Sequence, residues 1–287
     1  MSTDTDVAGY AMLDESLKSA LIQIVHDAHV EILDVYNTPF DVRRKSDDTP
    51  ITEADRRAHD VIVNGLSRID SGIPIVSEES ALPPYDVRKN WKQYWLVDPL
   101  DGTKEFVKRN GEFTVNIALV VAHEPCIGIV GRPTTNALYF GDVESKSALK
   151  IIEADEKPLA TRTIEANGVR SVQSRRRANP QAEQFLIDLE NDVGPITRDF
   201  RGSSLKFLAL AEGEADLYIQ PGGTSEWDTA AAQAVLHAAG GRVMSFQGAS
   251  IPYNTGESVI NDPFIAIGDS ATDWRHTLIR RLSIFNH

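Results

Sequence analysis

Two aspartates and a threonine directly follow an apolar segment in residues 95–103 (WLVDPLDGT). Pro99 keeps Asp98 extended, and Gly102 allows the backbone to turn tightly and to approach a ligand closely. Hard divalent cations prefer oxygen ligands, and neighbouring carboxylates are stable together only where cations neutralise them. The segment therefore predicts a metal-binding loop at a strand end, although an Asp-Pro turn followed by an Asp-Gly turn would explain the same residues.

Three further acidic segments could bring carboxylates to the same place. Residues 75–79 (IVSEE) set Glu78 at another strand end, Asp55 follows Thr52 by three residues, and Asp228 precedes an apolar helical stretch. Each has an ordinary alternative: a solvated loop for Glu78, a capping box with Thr52 for Asp55, and a helix N-cap for Asp228. In combination the segments favour one shared metal site.

The order and spacing of these segments resemble a known superfamily of lithium-sensitive, magnesium-dependent phosphatases, which includes inositol monophosphatases and bisphosphate nucleotidases. The resemblance is closest to bacterial 3′(2′),5′-bisphosphate nucleotidases of the CysQ type and runs from about residue 42 to residue 267. It is strongest in four segments: 49–55 (TPITEAD), 94–118 (YWLVDPLDGTKEFVKRNGEFTVNIA), 202–207 (GSSLKF) and 227–231 (WDTAA).

The resemblance implies a role for each matching residue. The implied ligands of two or three Mg²⁺ ions are Glu78, Asp98, the carbonyl of Leu100, Asp101 and Asp228. The implied catalytic pair is Thr103 hydrogen-bonded to Asp55, which would orient a water molecule and help to remove its proton. The implied substrate contacts are Glu78, Leu100, Asp101, Gly102, Thr103, Ser203, Ser204, Lys206 and Asp228.

The activity that the resemblance implies is removal of the 3′-phosphate from adenosine 3′,5′-bisphosphate or its sulfated analogue. An inositol-phosphate or other sugar-phosphate phosphatase with the same metal core is the alternative, and a non-catalytic sensor of nucleotides or inositol phosphates is a more remote one. Two positions depart from the family pattern: Gln220-Pro221 stands where relatives often carry an arginine, and Arg177 where some carry a histidine. Both lie where contacts to the nucleoside or the uncleaved phosphate are expected.

The apolar periodicity predicts a mixed α+β and α/β fold, a layered αβαβα sandwich. Residues 14–36 and a segment from Thr52 have helical periods, and closely spaced short strands follow, which favours a largely antiparallel sheet. Beyond residue 160, helices alternate with strands, and the predicted helices are Pro180–Asn191, Ser203–Glu212 and Thr229–Ala239. We therefore expect an N-terminal half, residues 1–160, with the metal loop, and a C-terminal half, residues 161–287, with substrate contacts.

The charge of the chain limits its partners. Lys and Arg number 29 against 42 Asp and Glu, which gives a net charge of −13. Such a surface repels nucleic-acid polymers and anionic lipid, so a small phosphorylated substrate is the expected partner. The run Arg175–Arg177 has no assigned role, and the sequence leaves open whether the chain forms a homodimer.

A cytoplasmic location is expected from three features of the sequence. The first residues lack a signal-peptide pattern, the apolar run 117–122 is too short to cross a membrane, and Cys126 is the single cysteine. Residues 273–285 have the pattern of a basic amphipathic helix. We expect it to pack on the protein, with peripheral contact at the inner face of the membrane as the alternative.

Overall fold

The computed structural model describes residues 15–44, 50–164, 168–175, 180–270 and 276–281. The helices in these residues are α1 (Glu15–Tyr36), α2 (Glu53–Ile69), α3 (Tyr85–Arg88), α4 (Thr103–Val107), α5 (Pro180–Val193), α6 (Leu205–Ala211) and α7 (Glu226–Ala238). Residues 276–281 are also helical. The strands are β1 (Arg43–Arg44), β2 (Pro50–Ile51), β3 (Ile75–Ser77), β4 (Gln93–Asp101), β5 (Thr114–Val121), β6 (Glu124–Arg132), β7 (Ala137–Asp142), β8 (Ser147–Ile152), β9 (Asp155–Pro158), β10 (Val169–Ser174), β11 (Ile196–Arg201), β12 (Leu217–Gln220), β13 (Arg242–Ser245) and β14 (Phe264–Ile267).

The larger of the two main sheets has the strand order β3-β4-β5-β6-β7-β8-β9. Only the β3–β4 pair within it is parallel, and the other pairs are antiparallel. The prediction of a largely antiparallel sheet in the first half of the chain is therefore confirmed. The parallel pair matters for function because it places the carboxyl ends of β3 and β4 at the same edge.

The smaller sheet has the order β11-β10-β12-β14-β13. Its β10 pairs in parallel with both β11 and β12, whereas β14 pairs antiparallel with β12 and β13. Consequently the carboxyl ends of β10, β11 and β12 lie along one edge. The larger sheet spans residues 75–158 and the smaller sheet residues 169–267; the division of the chain into two domains near residue 160 stays a prediction.

Helices and sheets alternate in layers. Helices α1 and α2 pack on one face of the larger sheet, where Ile62 and Trp95 share a core. Helices α6 and α7 lie between the two sheets, with Val235 in a core that includes Ala118. Helix α5 covers the outer face of the smaller sheet through Phe185. This arrangement confirms the predicted layered sandwich, and it explains the continuous apolar runs of β4 and β5, whose two faces are both buried.

Two predicted helix starts are wrong. Helix α6 begins at Leu205 rather than at Ser203, because Ser203 has φ +46°, outside the helical region. Helix α7 begins at Glu226 rather than at Thr229, because Ser225 supplies the N-cap three residues before Asp228. Both corrections change the position of a predicted site residue relative to its helix.

The C-terminal helical residues 276–281 pack on the protein. Leu278 is fully buried in the core that also contains residues of α5. Arg281 forms a bidentate ion pair with Asp192 of α5. The remainder of the segment 273–285 lies outside the described residues. Among the residues that the structure describes, no helix has both the length and the apolar character needed to span a membrane.

Candidate active site

The predicted metal loop forms where β4 ends. Strand β4 pairs with β5 through Asp98 opposite Asn116 and Asp101 opposite Thr114, with an irregularity between the two aspartates. The amide of Leu100 donates to Asp98 Oδ1 at 3.0 Å, which fixes that carboxylate. The chain thus presents two carboxylates within one short turn, as their spacing predicted.

Gly102 closes this loop and begins the approach to α4. Its φ of +90° is in the left-handed region that favours glycine. A Cβ at this position would also lie 3.0 Å from the carbonyl oxygen of Glu112. Glycine is therefore required at this position by backbone conformation and by space.

Carboxylate oxygens from three separate segments converge beside this loop. Glu78 follows β3, Asp98 lies in β4, and Asp228 lies in α7, yet their oxygens are within 4.8 Å of one another. The residues are separated by as many as 150 positions in the sequence, so the fold itself assembles the cluster. Oxygen donors of this kind and number suit Mg²⁺, and the cluster therefore passes a simple test of fit for a divalent cation.

Burial makes this cluster unstable as a set of anions. Burial raises the pKa of Asp98 well above its ordinary value, and the charges of Glu78, Asp101 and Asp228 raise it further. Burial likewise raises the pKa of Asp228, with Asp101 as the strongest neighbouring charge. Burial raises the pKa of Asp101 to about 6, although Lys206 and the Ser204 hydroxyl counteract the increase. A bound cation would reverse these effects, because it stabilises the ionised carboxylates.

Asp55 connects the start of α2 to the metal loop. Its Oδ2 accepts from the backbone nitrogen and the hydroxyl of Thr52, both at 2.7 Å, and completes a capping box. Its Oδ1 lies 3.2 Å from the hydroxyl oxygen of Thr103, which donates to it. The capping role and the contact with Thr103 therefore coexist, since each uses a different carboxylate oxygen.

The Thr103 hydroxyl has two acceptors for one proton. Besides Asp55, the carbonyl oxygen of Leu100 lies 3.3 Å from Thr103 Oγ1. Burial raises the pKa of Asp55 to about 7, although the bonds from Thr52 counteract the increase. The predicted contact between Thr103 and Asp55 is present, while the catalytic role of the pair stays a prediction.

Asp228 is not the N-cap of α7. The N-cap is Ser225, and its backbone nitrogen donates to Asp228 Oδ2 at 2.8 Å in a second capping box. Asp228 is thus the third residue of the helix, and its carboxylate lies at the helix N-terminus. Because the N-terminal end of a helix carries partial positive charge, this placement favours a carboxylate.

The segment 202–206 lies next to the metal loop. The hydroxyl oxygen of Ser204 is 3.1 Å from Asp101 Oδ2 and 3.0 Å from the carbonyl oxygen of Asp228, and it accepts from Asn116 Nδ2 at 2.9 Å. The side-chain oxygen of Ser203 is buried without a hydrogen-bond partner among the described residues. The Ser204 hydroxyl therefore links the metal loop to α7, and the Ser203 hydroxyl is buried beside it.

Lys206 is buried rather than solvated. Its ammonium group donates to the carbonyl oxygen of Ser203 at 2.5 Å and lies over the ring of Tyr218. Burial lowers the pKa of Lys206, while Asp101 and other acids of the site counteract the decrease. Lys206 is thus a positive charge within the carboxylate site, and its contact with a second phosphate stays a prediction.

Two residues that contact the site were not predicted. Asn116 donates to Ser204, and Glu112 accepts from the Gly202 amide at 2.8 Å. Of the two, only Asn116 could have been found from the sequence, because it lies opposite Asp98 on the neighbouring strand. Arg175, the first of the three consecutive arginines, forms a bidentate ion pair with Glu112, and Arg176 and Arg177 lie outside the described residues.

Comparison with known proteins identifies the family. A model of the inositol monophosphatase family matches residues 13–280. The chain is 43% identical over 245 residues to the 3′(2′),5′-bisphosphate nucleotidase CysQ of Salmonella typhimurium, covering 84% of this chain and 96% of the relative. The crystal structure of CysQ from Bacteroides thetaiotaomicron, described as a bacterial member of the inositol monophosphatase family, is 35% identical with a TM-score of 0.76, covering 89% of this chain and 98% of that one.

An inositol monophosphatase from Anabaena shares the fold at 20% identity, with a TM-score of 0.71 and coverage of 94% of this chain and 96% of that one. The resemblance deduced from the acidic segments is thereby confirmed over almost the whole length of the chain. The metal dependence of the family agrees with the carboxylate cluster. This chain belongs to the inositol monophosphatase family.

Proposed function

We propose that this protein is a magnesium-dependent phosphatase that removes the 3′-phosphate of adenosine 3′,5′-bisphosphate and leaves AMP and inorganic phosphate. The observation that carries the proposal is the convergence of Glu78, Asp98 and Asp228 within 4.8 Å. The nucleotidase relatives, at 43% identity, support the nucleotide as substrate. Its sulfated analogue is proposed as a second substrate.

The metal-binding role is assigned to the carboxylate cluster and its loop. The residues proposed to hold two or three Mg²⁺ ions are Glu78, Asp98, the carbonyl of Leu100, Asp101 and Asp228. When bound, the ions would stabilise negative charge on the phosphoryl oxygens and lower the pKa of a bound water molecule. The protein contributes the fixed positions of these ligands, which are set by strand ends and capping boxes.

Thr103 and Asp55 are proposed to position the attacking water. The oxygen of Thr103 can accept a hydrogen bond from water while its own proton is donated to Asp55. With a pKa of about 7, Asp55 is suited to take up a proton near neutral pH. The backbone amides of Gly102 and Thr103 are proposed to donate to the phosphate oxygens. No protein nucleophile is needed, so we expect direct in-line attack by water.

The remaining substrate contacts are proposed for the segment 202–206. Ser203, whose buried hydroxyl has no hydrogen-bond partner among the described residues, is proposed to contact the sugar or the second phosphate. Ser204 is hydrogen-bonded to Asp101, and Lys206 to the Ser203 carbonyl. Both side chains are therefore proposed to hold this segment against the metal loop as well as to contact the substrate. At Gln220, where relatives often carry arginine, the side-chain amide accepts a hydrogen bond from the Tyr218 hydroxyl and donates one to the Gly222 carbonyl.

A cytoplasmic location and the absence of nucleic-acid polymers as partners are proposed from sequence alone. The acidic net charge of −13 supports the second point. Leu278 and Arg281 both contact the body of the protein. These contacts favour packing of the described part of the C-terminal segment on the protein over its contact with a membrane.

A panel of substrates tests the proposal. Phosphate release should be compared for adenosine 3′,5′-bisphosphate, its sulfated analogue, inositol 1-phosphate and fructose 1,6-bisphosphate, with Mg²⁺ and with a chelator. We expect metal-dependent release that is fastest with the nucleotides. Preference for inositol 1-phosphate would replace the nucleotidase assignment with the sugar-phosphate alternative. No release from any substrate would favour the sensor.

A further inference from the structure

The turn formed by Gly202, Ser203 and Ser204, here called the Ser203 turn, has a conformation that needs support. Ser203 has φ +46°, a left-handed backbone conformation that is uncommon for a residue with a side chain. Two hydrogen bonds hold the second half of the turn: Lys206 donates to the Ser203 carbonyl, and the Ser204 hydroxyl donates to Asp101. The first half is held by a different residue.

Glu112 holds the first half of the Ser203 turn. Its Oε2 accepts from the amide of Gly202 at 2.8 Å. A Cβ on Gly202 would lie 2.9 Å from the carbonyl oxygen of Glu112, and a Cβ on Gly102 would lie 3.0 Å from the same oxygen. Glu112 is therefore in close contact with both the metal loop and the Ser203 turn, and its side chain is only 16% exposed.

Arg175 fixes the orientation of the Glu112 carboxylate. Its guanidinium donates to both oxygens, from Nε to Oε2 at 2.8 Å and from Nη2 to Oε1 at 2.6 Å. Nη2 also donates to the carbonyl oxygen of Phe200 at 2.5 Å. An isolated surface ion pair contributes little, but this pair is bidentate, and its carboxylate is mostly buried and has a third donor in Gly202.

We infer that Glu112 and Arg175 are positioning residues that hold the Ser203 turn in the conformation that binds the nucleotide. The inference rests on the proposed function, in which the Ser203 turn contacts the substrate. The first arginine of the consecutive run thus acts through Glu112 on the amide of Gly202 and does not itself bind a phosphate. Loss of the turn's support weakens substrate binding without removing any group from the metal site.

Steady-state kinetics with adenosine 3′,5′-bisphosphate test the inference through graded variants. Glu112→Met removes the acceptor for Gly202 and should raise KM about tenfold, with kcat changed less than about twofold. Glu112→Gln keeps an acceptor but loses the ion pair, and Arg175→Met loses only the arginine, so each should raise KM about threefold. Equal effects of Glu112→Met and Glu112→Gln would overturn the inference.

Exchanging the two charges separates positioning from simple stabilisation. The double variant Glu112→Arg with Arg175→Glu restores an ion pair, but its residue 112 can only donate and leaves the Gly202 amide without an acceptor. The melting temperature should therefore recover while KM stays high. Recovery of KM together with stability would show an ordinary ion pair and overturn the inference. The control is Arg198→Met on β11, which breaks ion pairs to Glu183 and Glu190 of α5 and should leave KM unchanged.

Hydrogen exchange gives a result that does not depend on catalysis. The amide of Gly202 should be protected in the wild type and exchange about tenfold faster in Glu112→Met, as measured by mass spectrometry of peptides covering residues 200–205. Unchanged exchange would overturn the inference. If exchange rises as expected but the wild type releases no phosphate, the proposed function fails while the support of the turn by Glu112 stands.

Discussion

The clustered, partly buried carboxylates should destabilise the protein whenever metal is absent, and Asp101 provides the clearest test. Burial raises its pKa from 3.8 to about 6. Since one pKa unit corresponds to about 1.4 kcal/mol, the ionised Asp101 costs the metal-free native state about 3 kcal/mol at pH 7.5. Asp101→Asn replaces this anion by a neutral group of similar shape, so the metal-free variant should be more stable than the wild type.

The expected gain depends on pH in a defined direction. Below pH 3.8 Asp101 is protonated in both the folded and the unfolded protein, and its replacement should have little effect. Between pH 3.8 and about pH 6 the unfolded chain loses the proton while the native protein retains it, so the penalty grows. The advantage of the variant should therefore rise through this range and stay constant above it.

Thermal unfolding in a chelator, from pH 4 to pH 8, measures this advantage. At pH 7.5 the variant should melt about 5 °C above the wild type, because an unfolding entropy of about 2.1 cal/mol/K per residue amounts to about 0.6 kcal/mol/K for 287 residues. Adding Mg²⁺ at about 100 times its dissociation constant from the wild type should raise the free energy of unfolding of the wild type by about 2.7 kcal/mol. The same concentration should raise the free energy of unfolding of the variant much less. Asp60→Asn, at an exposed acid on α2, is the control and should change neither measurement. An equal or lower melting temperature for metal-free Asp101→Asn would refute the argument that its ionised form is destabilising.

Three further predictions concern single side chains. Thr103→Ala should lower kcat with little change in KM, because its hydroxyl is proposed to orient the attacking water; a change confined to KM would show a binding role only. Asp228→Asn should leave a folded protein whose turnover at saturating Mg²⁺ is at least about 100-fold lower, and near-normal turnover would reject the ligand assignment. Lys206→Met should lower the melting temperature of the metal-free protein, since Lys206 offsets the charges of Asp101 and Asp228; an unchanged melting temperature would count against that electrostatic role.

Much of the fold was predictable because it depends on local periodicity. The helical period of residues 14–36 corresponds to α1, and the apolar run before Asp98 corresponds to β4. Strands β10 (VRSVQS) and β11 (ITRDFR) were not predicted, because polar and charged residues interrupt their apolar pattern and their stability comes from pairing with a segment outside the local sequence. The contact of Glu112 with the Gly202 amide was not predictable for the same reason, since 90 positions separate the two residues.

The carboxylates of the site were predictable because most of them are oriented by neighbours in the sequence. In three cases a backbone amide two or three residues away donates to the carboxylate: Thr52 to Asp55, Leu100 to Asp98, and Ser225 to Asp228. These donors are neutral, so they orient each anion without adding a charge that would compete with a cation. Ser204 differs, because its hydroxyl reaches Asp101 across 103 positions and also contacts the carbonyl oxygen of Asp228. The sequence therefore reveals which residues can bind metal, whereas the bond that joins the metal loop to α7 depends on the packing of the two sheets around α6 and α7.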